Sequence, residues 1–440
     1  VRLIVLMLIV FAGLGLRLDA AWQGSENNLP DSAAYERIAR GLEQRGEFEQ
    51  LGPGTPEQAQ QASNYSPGLP LLVGGIFTLA GDDDARFARL VLALIAAISI
   101  PLSYLLGVRM HGVSAGLAAA AIVAFYPTLI GDAGMILTEP LAGTLIIGAV
   151  LLLFRARDRG RLSSWIPPGL LLGLTAMVRP EYLAIAVLLG LMLSLVGVQR
   201  ERSLRPLVPV AVMLLSAAVV IAPWTARNFA EMGRLVPIST GGGQTLFAGS
   251  YLPAGGDPQK VTPHLLGARP MLASAVARAT GQNPEAVSTD RVLAIMASRA
   301  YPAMDTDTAL ALMGRRQYFA EMKRDPLAFS AFMLSKAHRI WWRGRSALTD
   351  QIPGKLLHWV IAVLALAGLA GLARYRPYEF WIVALLLLAA TLIGVIFIAS
   401  PRRALALWPL VSSLSGVGLA LAGSLLIRVP GSRRRTVAVP

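Results

Sequence analysis

The chain has 440 residues, 55% of them hydrophobic and only 15% charged, with a mean hydropathy of +0.57. A soluble domain carries about 25% charge, and the apolar residues here lie in blocks too long for soluble cores, which excludes two or three soluble domains. The net charge of +14 comes without a basic face interleaved with aromatics, against nucleic acid as a partner, and the absence of cysteine excludes disulfides, thiolate metal sites and cysteine nucleophiles.

In chain order, Leu3 to Leu16 is the first apolar run. It reads as a transmembrane helix rather than a signal peptide, because Asp19-Ala20-Ala21 is a poor cleavage site. Residues 19–64 are polar, and within them Tyr35, Ile38, Ala39 and Leu42 share one face of a short amphipathic helix that starts at Asp31. Tyr65-Ser66-Pro67-Gly68-Leu69-Pro70 leads into an apolar stretch ending near Ala80. That stretch is short for a span, so an interfacial or re-entrant helix is expected. Spans follow at about 87–107, 113–130, 138–154, 165–178, 182–198 and 206–224. A polar segment covers 225–354. Three further spans lie near 356–373, 379–399 and 404–427, and the end is a basic tail with Arg433 to Arg435. The expected fold is an all-α polytopic membrane bundle of about ten spans in three parts: 1–224 with a catalytic outer loop at 19–80, the extracytoplasmic segment 225–354, and 355–440.

Charge sets the orientation. With the N-terminus in the cytoplasm, Arg109, Arg155 to Arg161, Arg200 to Arg205, Arg374, Arg376 and the tail all face inward, as the positive-inside rule favours. Asp132, Glu139 and Glu181 then face outward. Arg179, Arg402 and Arg403 depart from the rule by sitting in tight outer turns. An outward-facing anion such as a lipid phosphate explains them, since adjacent guanidiniums clamp phosphate well. Snorkelling to headgroups, or pairing of Arg179 with Glu181, explains them equally simply.

Asp31 is placed to be a general base on an acceptor hydroxyl or a helix N-cap, and the two are compatible. Glu139 opens a span, with Thr138 as its cap, and Arg179 is a plausible partner. Gly241-Gly242-Gly243-Gln244-Thr245 lacks the lysine of a phosphate-binding loop and reads as a plain loop. The four histidines lack ligand spacing, so no metal site is assigned to them. Lys336 lies on an amphipathic stretch closed by Trp341-Trp342, either on solvated surface or touching lipid phosphate. Asp82-Asp83-Asp84 reads as a solvated turn.

Taken in order and by membrane side, several motifs resemble the GT-C superfamily of membrane glycosyltransferases. The likeness is to the bacterial branch akin to protein O-mannosyltransferases and the lipid A aminoarabinose transferase. They are Pro30-Asp31 with Tyr35; Tyr65-Ser66-Pro67-Gly68; Thr138-Glu139-Pro140; Met177-Val178-Arg179-Pro180-Glu181; Ala222-Pro223-Trp224 with Arg227-Asn228; and Arg402-Arg403 with Pro409. The resemblance implies a polyprenyl-phosphate sugar as donor and transfer with inversion on the extracytoplasmic face of a bacterial cytoplasmic membrane. It makes Asp31 the base, has Arg179, Arg402 and Arg403 at the donor phosphate, and leaves Glu139, Glu181, Tyr65 and Lys336 in support. A lipid, glycan or protein is the implied acceptor. No nucleotide or redox cofactor is needed. Ser32 stands where many members carry a second acid, so a divalent metal has no clear support. A transporter of lipid-linked sugars and a non-catalytic assembly subunit are the competing classes.

Overall fold

The computed structural model describes residues 1–25, 29–49, 62–344 and 347–426, and every described secondary-structure element is helical. The basic tail expected at 428–435 lies outside the described residues. The elements are α1 (Arg2–Gln23), α2 (Pro30–Arg45), α3 (Gly68–Ala80), α4 (Ala85–His111), α5 (Val113–Phe125), α6 (Thr138–Arg159), α7 (Ile166–Val178), α8 (Glu181–Glu201) and α9 (Leu207–Met232). They continue as α10 (Gly242–Ser250), α11 (Pro258–Ala268), α12 (Pro270–Thr280), α13 (Thr289–Ala300), α14 (Thr306–Arg324), α15 (Pro326–Trp342), α16 (Gly354–Tyr375), α17 (Pro377–Ile396) and α18 (Trp408–Leu426).

Seven helices among the described residues are long and apolar enough to cross a membrane, or eight if α5 and the short helix after it are one bent span. The protein is a multi-pass integral membrane protein. Of the ten segments expected, 165–178 forms the short α7, and 404–427 opens with a five-residue helix before α18.

The bend after α5 has a local cause. Pro127 has no N–H, so the Val123 carbonyl loses its helical partner. Arg17, buried within α1, replaces it: Nη2 donates to Val123 O at 2.6 Å, and Nη1 donates to Ala124 O at 3.1 Å and Gly13 O at 2.9 Å. Both terminal nitrogens of a cation inside a span are thereby paired with backbone carbonyls.

Small residues set the centre of the bundle. A Cβ on Gly416 would come 2.2 Å from Ala115 O of α5, and one on Gly418 would come 2.1 Å from Leu364 O of α16. Without those side chains α18 packs backbone to backbone between α5 and α16. The residues just before α18, including Arg402 and Arg403, are thus delivered to the middle of one end of the bundle. Helices α10 to α14 enclose a separate core around Phe247, Val261, Leu265, Val292 and Leu310.

Candidate functional site

The amphipathic helix expected from Asp31 onward is α2, with Tyr35, Ile38 and Ala39 buried on one face. Its cap differs from expectation. Leu29 is the N-cap, Pro30 is the first helical residue, and no side chain caps the end. The Asp31 carboxylate is therefore not used as a cap and points to Arg402, whose Nη1 donates to Asp31 Oδ2 at 2.6 Å. Ser32, beside it, accepts the Ile136 N–H at 3.0 Å. That bond docks the start of α2 on the strap leading into α6.

Glu139 sits in the first turn of α6 with its side chain only 1% exposed. Leu137 rather than Thr138 is the cap, and no side-chain bond is made there. Thr138 Oγ1 instead donates to Glu139 Oε2 at 3.2 Å and accepts from Arg179 Nη1 at 3.2 Å. Glu139 Oε1 accepts Arg402 Nε at 2.6 Å and lies 3.5 Å from Arg179 Nη1. Arg179 donates to Glu181 through Nε at 2.9 Å and is paired with it through Nη2 at 2.7 Å, and Arg403 lies 3.9 Å from the same carboxylate. Residues more than 370 positions apart in the chain thus form one network of three carboxylates and three guanidiniums with no formal excess charge.

The turn holding Arg179 is shaped by the Tyr65-Ser66-Pro67-Gly68 motif. Ser66 Oγ donates to Val178 O at 2.5 Å, and a Cβ on Gly68 would come 2.8 Å from the Met177 and Val178 backbone. Only glycine permits that approach. Tyr65 meets Tyr35 edge to face, with ring centroids 5.3 Å apart. Burial, then the charges of Asp31 and Asp290, push the Tyr65 hydroxyl up to about 12.

Magnitudes separate the two bonds of Arg402. Asp31 is 44% exposed, so its pair with Arg402 is worth about 0.2–1 kcal/mol. Glu139 is buried, and breaking such a pair by removing one partner costs about 3–5 kcal/mol. Glu139 therefore fixes the guanidinium, while Asp31 is the partner an incoming anion can replace.

Lys336 does not join this network. The surface position expected for it is corrected by its burial, and Nζ donates to Gly249 O at 2.7 Å, Phe397 O at 2.9 Å and Tyr318 Oη at 2.9 Å. Burial, followed by the like charges of Arg339 and Arg403, lowers it from its ordinary 10.5 to about 7. It ties α10, α15 and the end of α17 together just before the arginine turn. The Trp224 motif is also structural: Trp224 Nε1 donates to Ile238 O at 2.7 Å, and Asn228 Nδ2 donates to Val236 O and Ile238 O, both at 3.0 Å. Asp84 caps α4 by accepting Arg86 N–H at 2.7 Å, and Asp83 pairs with Arg40 at 3.3 Å. Among the described residues no group of three or more His, Cys, Asp or Glu could hold a metal ion.

A second network marks the far end of the bundle. Arg109 pairs with Asp158 and with Glu379, the latter at 3.1 Å. Asp158 and Glu139 are at opposite ends of α6, whose 22 residues span about 33 Å. Arg109, assigned to an inner loop by charge, and Glu139, assigned to an outer one, thus lie at opposite ends of α6.

The fold is similar to that of solved membrane oligosaccharyltransferases. Residues 64–226 match the family model described as dolichyl-phosphate-mannose-protein mannosyltransferase, and the resemblance read from the sequence is shown over that stretch. Tyr65, Glu139, Arg179 and Glu181 fall inside it, whereas Asp31, Arg402 and Arg403 fall outside. The chain is similar in structure to the oligosaccharyltransferase AglB of Archaeoglobus fulgidus in complex with an inhibitory peptide and a dolichol-phosphate. That likeness has a TM-score of 0.58 and 15% identity, and covers 98% of this chain and 52% of that one. The apo form of the Archaeoglobus fulgidus oligosaccharyltransferase gives a TM-score of 0.55 at 14% identity, covering 97% and 51%. At such identity these likenesses concern the fold, and the chain spans about half the length of these oligosaccharyltransferases. ArnT from Cupriavidus metallidurans matches at a TM-score of 0.40 and 16% identity, covering 95% of this chain and 77% of that one. No curated protein sequence matches the chain.

Proposed function

We propose that the protein transfers a sugar from a polyprenyl-phosphate carrier to an acceptor hydroxyl on the extracytoplasmic side of a bacterial cytoplasmic membrane, with inversion at the anomeric carbon. The observation that carries this reading is the convergence of Asp31 and Arg402 on one another at one end of the bundle. An exposed carboxylate and a fixed guanidinium in contact are the two groups the reaction needs. The family match over 64–226 and the GT-C fold support the donor class.

In this reading the donor phosphate docks on Arg402, with Arg403 and Arg179 adding positive field, and displaces Asp31 from the guanidinium. The freed carboxylate accepts the proton of the acceptor hydroxyl. The hydroxyl oxygen bonds to the anomeric carbon as the bond from that carbon to the phosphate oxygen breaks. The electron pair stays on the departing polyprenyl phosphate, where arginine stabilises it. Segment 225–354 stands outside the membrane above this site.

The test is transfer from a panel of radiolabelled polyprenyl-phosphate sugars to solubilised membrane extract by purified protein. Label should move in the wild type and vanish in Asp31→Asn, while Arg179→Ala should slow it. An Asp31→Asn protein that performs like the wild type would point to a transporter or an assembly subunit instead.

A further inference from the structure

The Gly241-Gly242-Gly243-Gln244 stretch is not a plain loop. Gly241 alone makes the turn, with φ +88°, and α10 starts at Gly242. The turn is fastened to the segment before Tyr65. Thr240 N–H donates to Ser63 O at 2.9 Å, and Thr240 Oγ1 donates to Asn64 Oδ1 at 2.6 Å. On its other side, Gly243 N–H donates to Asp307 Oδ1 at 2.8 Å. Gln244 is thereby held one helical turn past a junction that abuts Tyr65, and its Nε2 donates to Asp290 Oδ1.

Asp290 comes from the first turn of α13, in the outer segment. Its carboxylate is open to solvent yet hemmed in by protein. That confinement, and then the charge of Asp31, raise its pKa, while the Gln244 bond lowers it. Tyr65 feels both carboxylates. Asp290 and Gln244 thus stand beside the junction that precedes Tyr65, and Tyr65 packs edge to face on Tyr35, one helical turn along α2 from Asp31.

We propose that Asp290 and Gln244 form a recognition site for neighbouring sugar hydroxyls, contributed by the outer segment to the transfer site. A carboxylate only accepts hydrogen bonds, and a carboxamide both donates and accepts. Side by side they suit two adjacent hydroxyls, each able to donate and accept. The Asp290 carboxylate repels phosphate, which is left to the arginines. The hydroxyls belong either to the donor sugar or to a glycan acceptor, and the inference rests on the transferase reading above.

The experiment measures transfer kinetics of Asp290→Asn and Gln244→Ala beside the wild type. One series titrates polyprenyl-phosphate mannose and its deoxy analogues, and a second titrates the acceptor extract. Both variants should lose roughly ten- to a hundred-fold in kcat/KM, mainly through KM, and in one series only. That series names the source of the hydroxyls. The wild type should discriminate against one deoxy analogue, and the variants should not. Variants with wild-type KM in both series and unchanged preference would overturn the proposal while leaving the transferase intact. A wild type that moves no sugar from any donor overturns both.

Discussion

The unequal grip of Arg402 on its two carboxylates gives the sharpest prediction. A double-mutant cycle isolates each pair, with Glu139→Gln and Arg402→Gln in one and Asp31→Asn and Arg402→Gln in the other. In the first, a carboxylate 1% exposed loses the guanidinium bonded to it at 2.6 Å. A hydrogen bond to a charged group contributes about 1.5–3 kcal/mol, and stranding a buried charge adds to that, so a coupling of about 3 kcal/mol is expected. In the second, the carboxylate is 44% exposed, and solvent screening should hold the coupling below about 1 kcal/mol. The assay is unfolding of the purified protein in mixed micelles, followed by tryptophan fluorescence. Single and double variants that add within about 0.5 kcal/mol for the Glu139 pair would refute the reasoning. So would equal couplings for the two pairs.

Three further outcomes follow from the same geometry. Gly68→Ala pushes a Cβ into the Met177–Val178 backbone at 2.8 Å, so it should cost about 1–3 kcal/mol of stability and displace Arg179, with transfer falling at least roughly ten-fold; unchanged transfer and melting would show that the turn yields freely. Arg179→Lys keeps the charge but cannot place two nitrogens on Glu181 and a third on Thr138. It should therefore slow transfer nearly as much as Arg179→Ala, and full activity would show that charge alone suffices there. Lys336, lowered to about 7, is a neutral amine in the folded state between about pH 7 and 10.5, one proton short of the ammonium it forms in the unfolded chain. Stability should therefore rise with pH across that window, by at most about 1.4 kcal/mol per unit from this group. Unfolding of wild type and Lys336→Met at several pH values should show the slope only in the former.

Much of the candidate site is legible in local sequence because a membrane makes charge conspicuous. Arg179, Arg402 and Arg403 stand out as cations against the expected charge bias, and Glu139 as an acid opening a span. Their mutual contacts were legible only in part, since Arg402 meets Asp31 across 371 positions through the placement of α18. Small residues fix that placement, and they carry no pairing signal. The caps were misjudged because Asp31 and Thr138 look like cap residues locally, while the tertiary network takes their polar atoms. Lys336 reads as surface because an amphipathic pattern does not reveal that two carbonyls and a tyrosine from three other parts of the chain surround it. Asp290 escapes notice for the same reason: one acid among polar residues becomes notable only when folding brings it against Gln244 beside the Tyr65 junction.

The neutrality of the arginine network also bears on how the chain enters the membrane. Arg179 travels with Glu181, two positions away, so in the proposed orientation that turn crosses the bilayer with its compensating charge already at hand. Arg402 and Arg403 have no acid close by in sequence and reach Asp31, Glu139 and Glu181 only after the earlier helices are in place. In the proposed orientation the hairpin of α17 and α18 is thus the insertion step that depends most on a preassembled bundle. The end carrying the candidate site is then completed last, and a half-built protein lacks the guanidiniums that close the network.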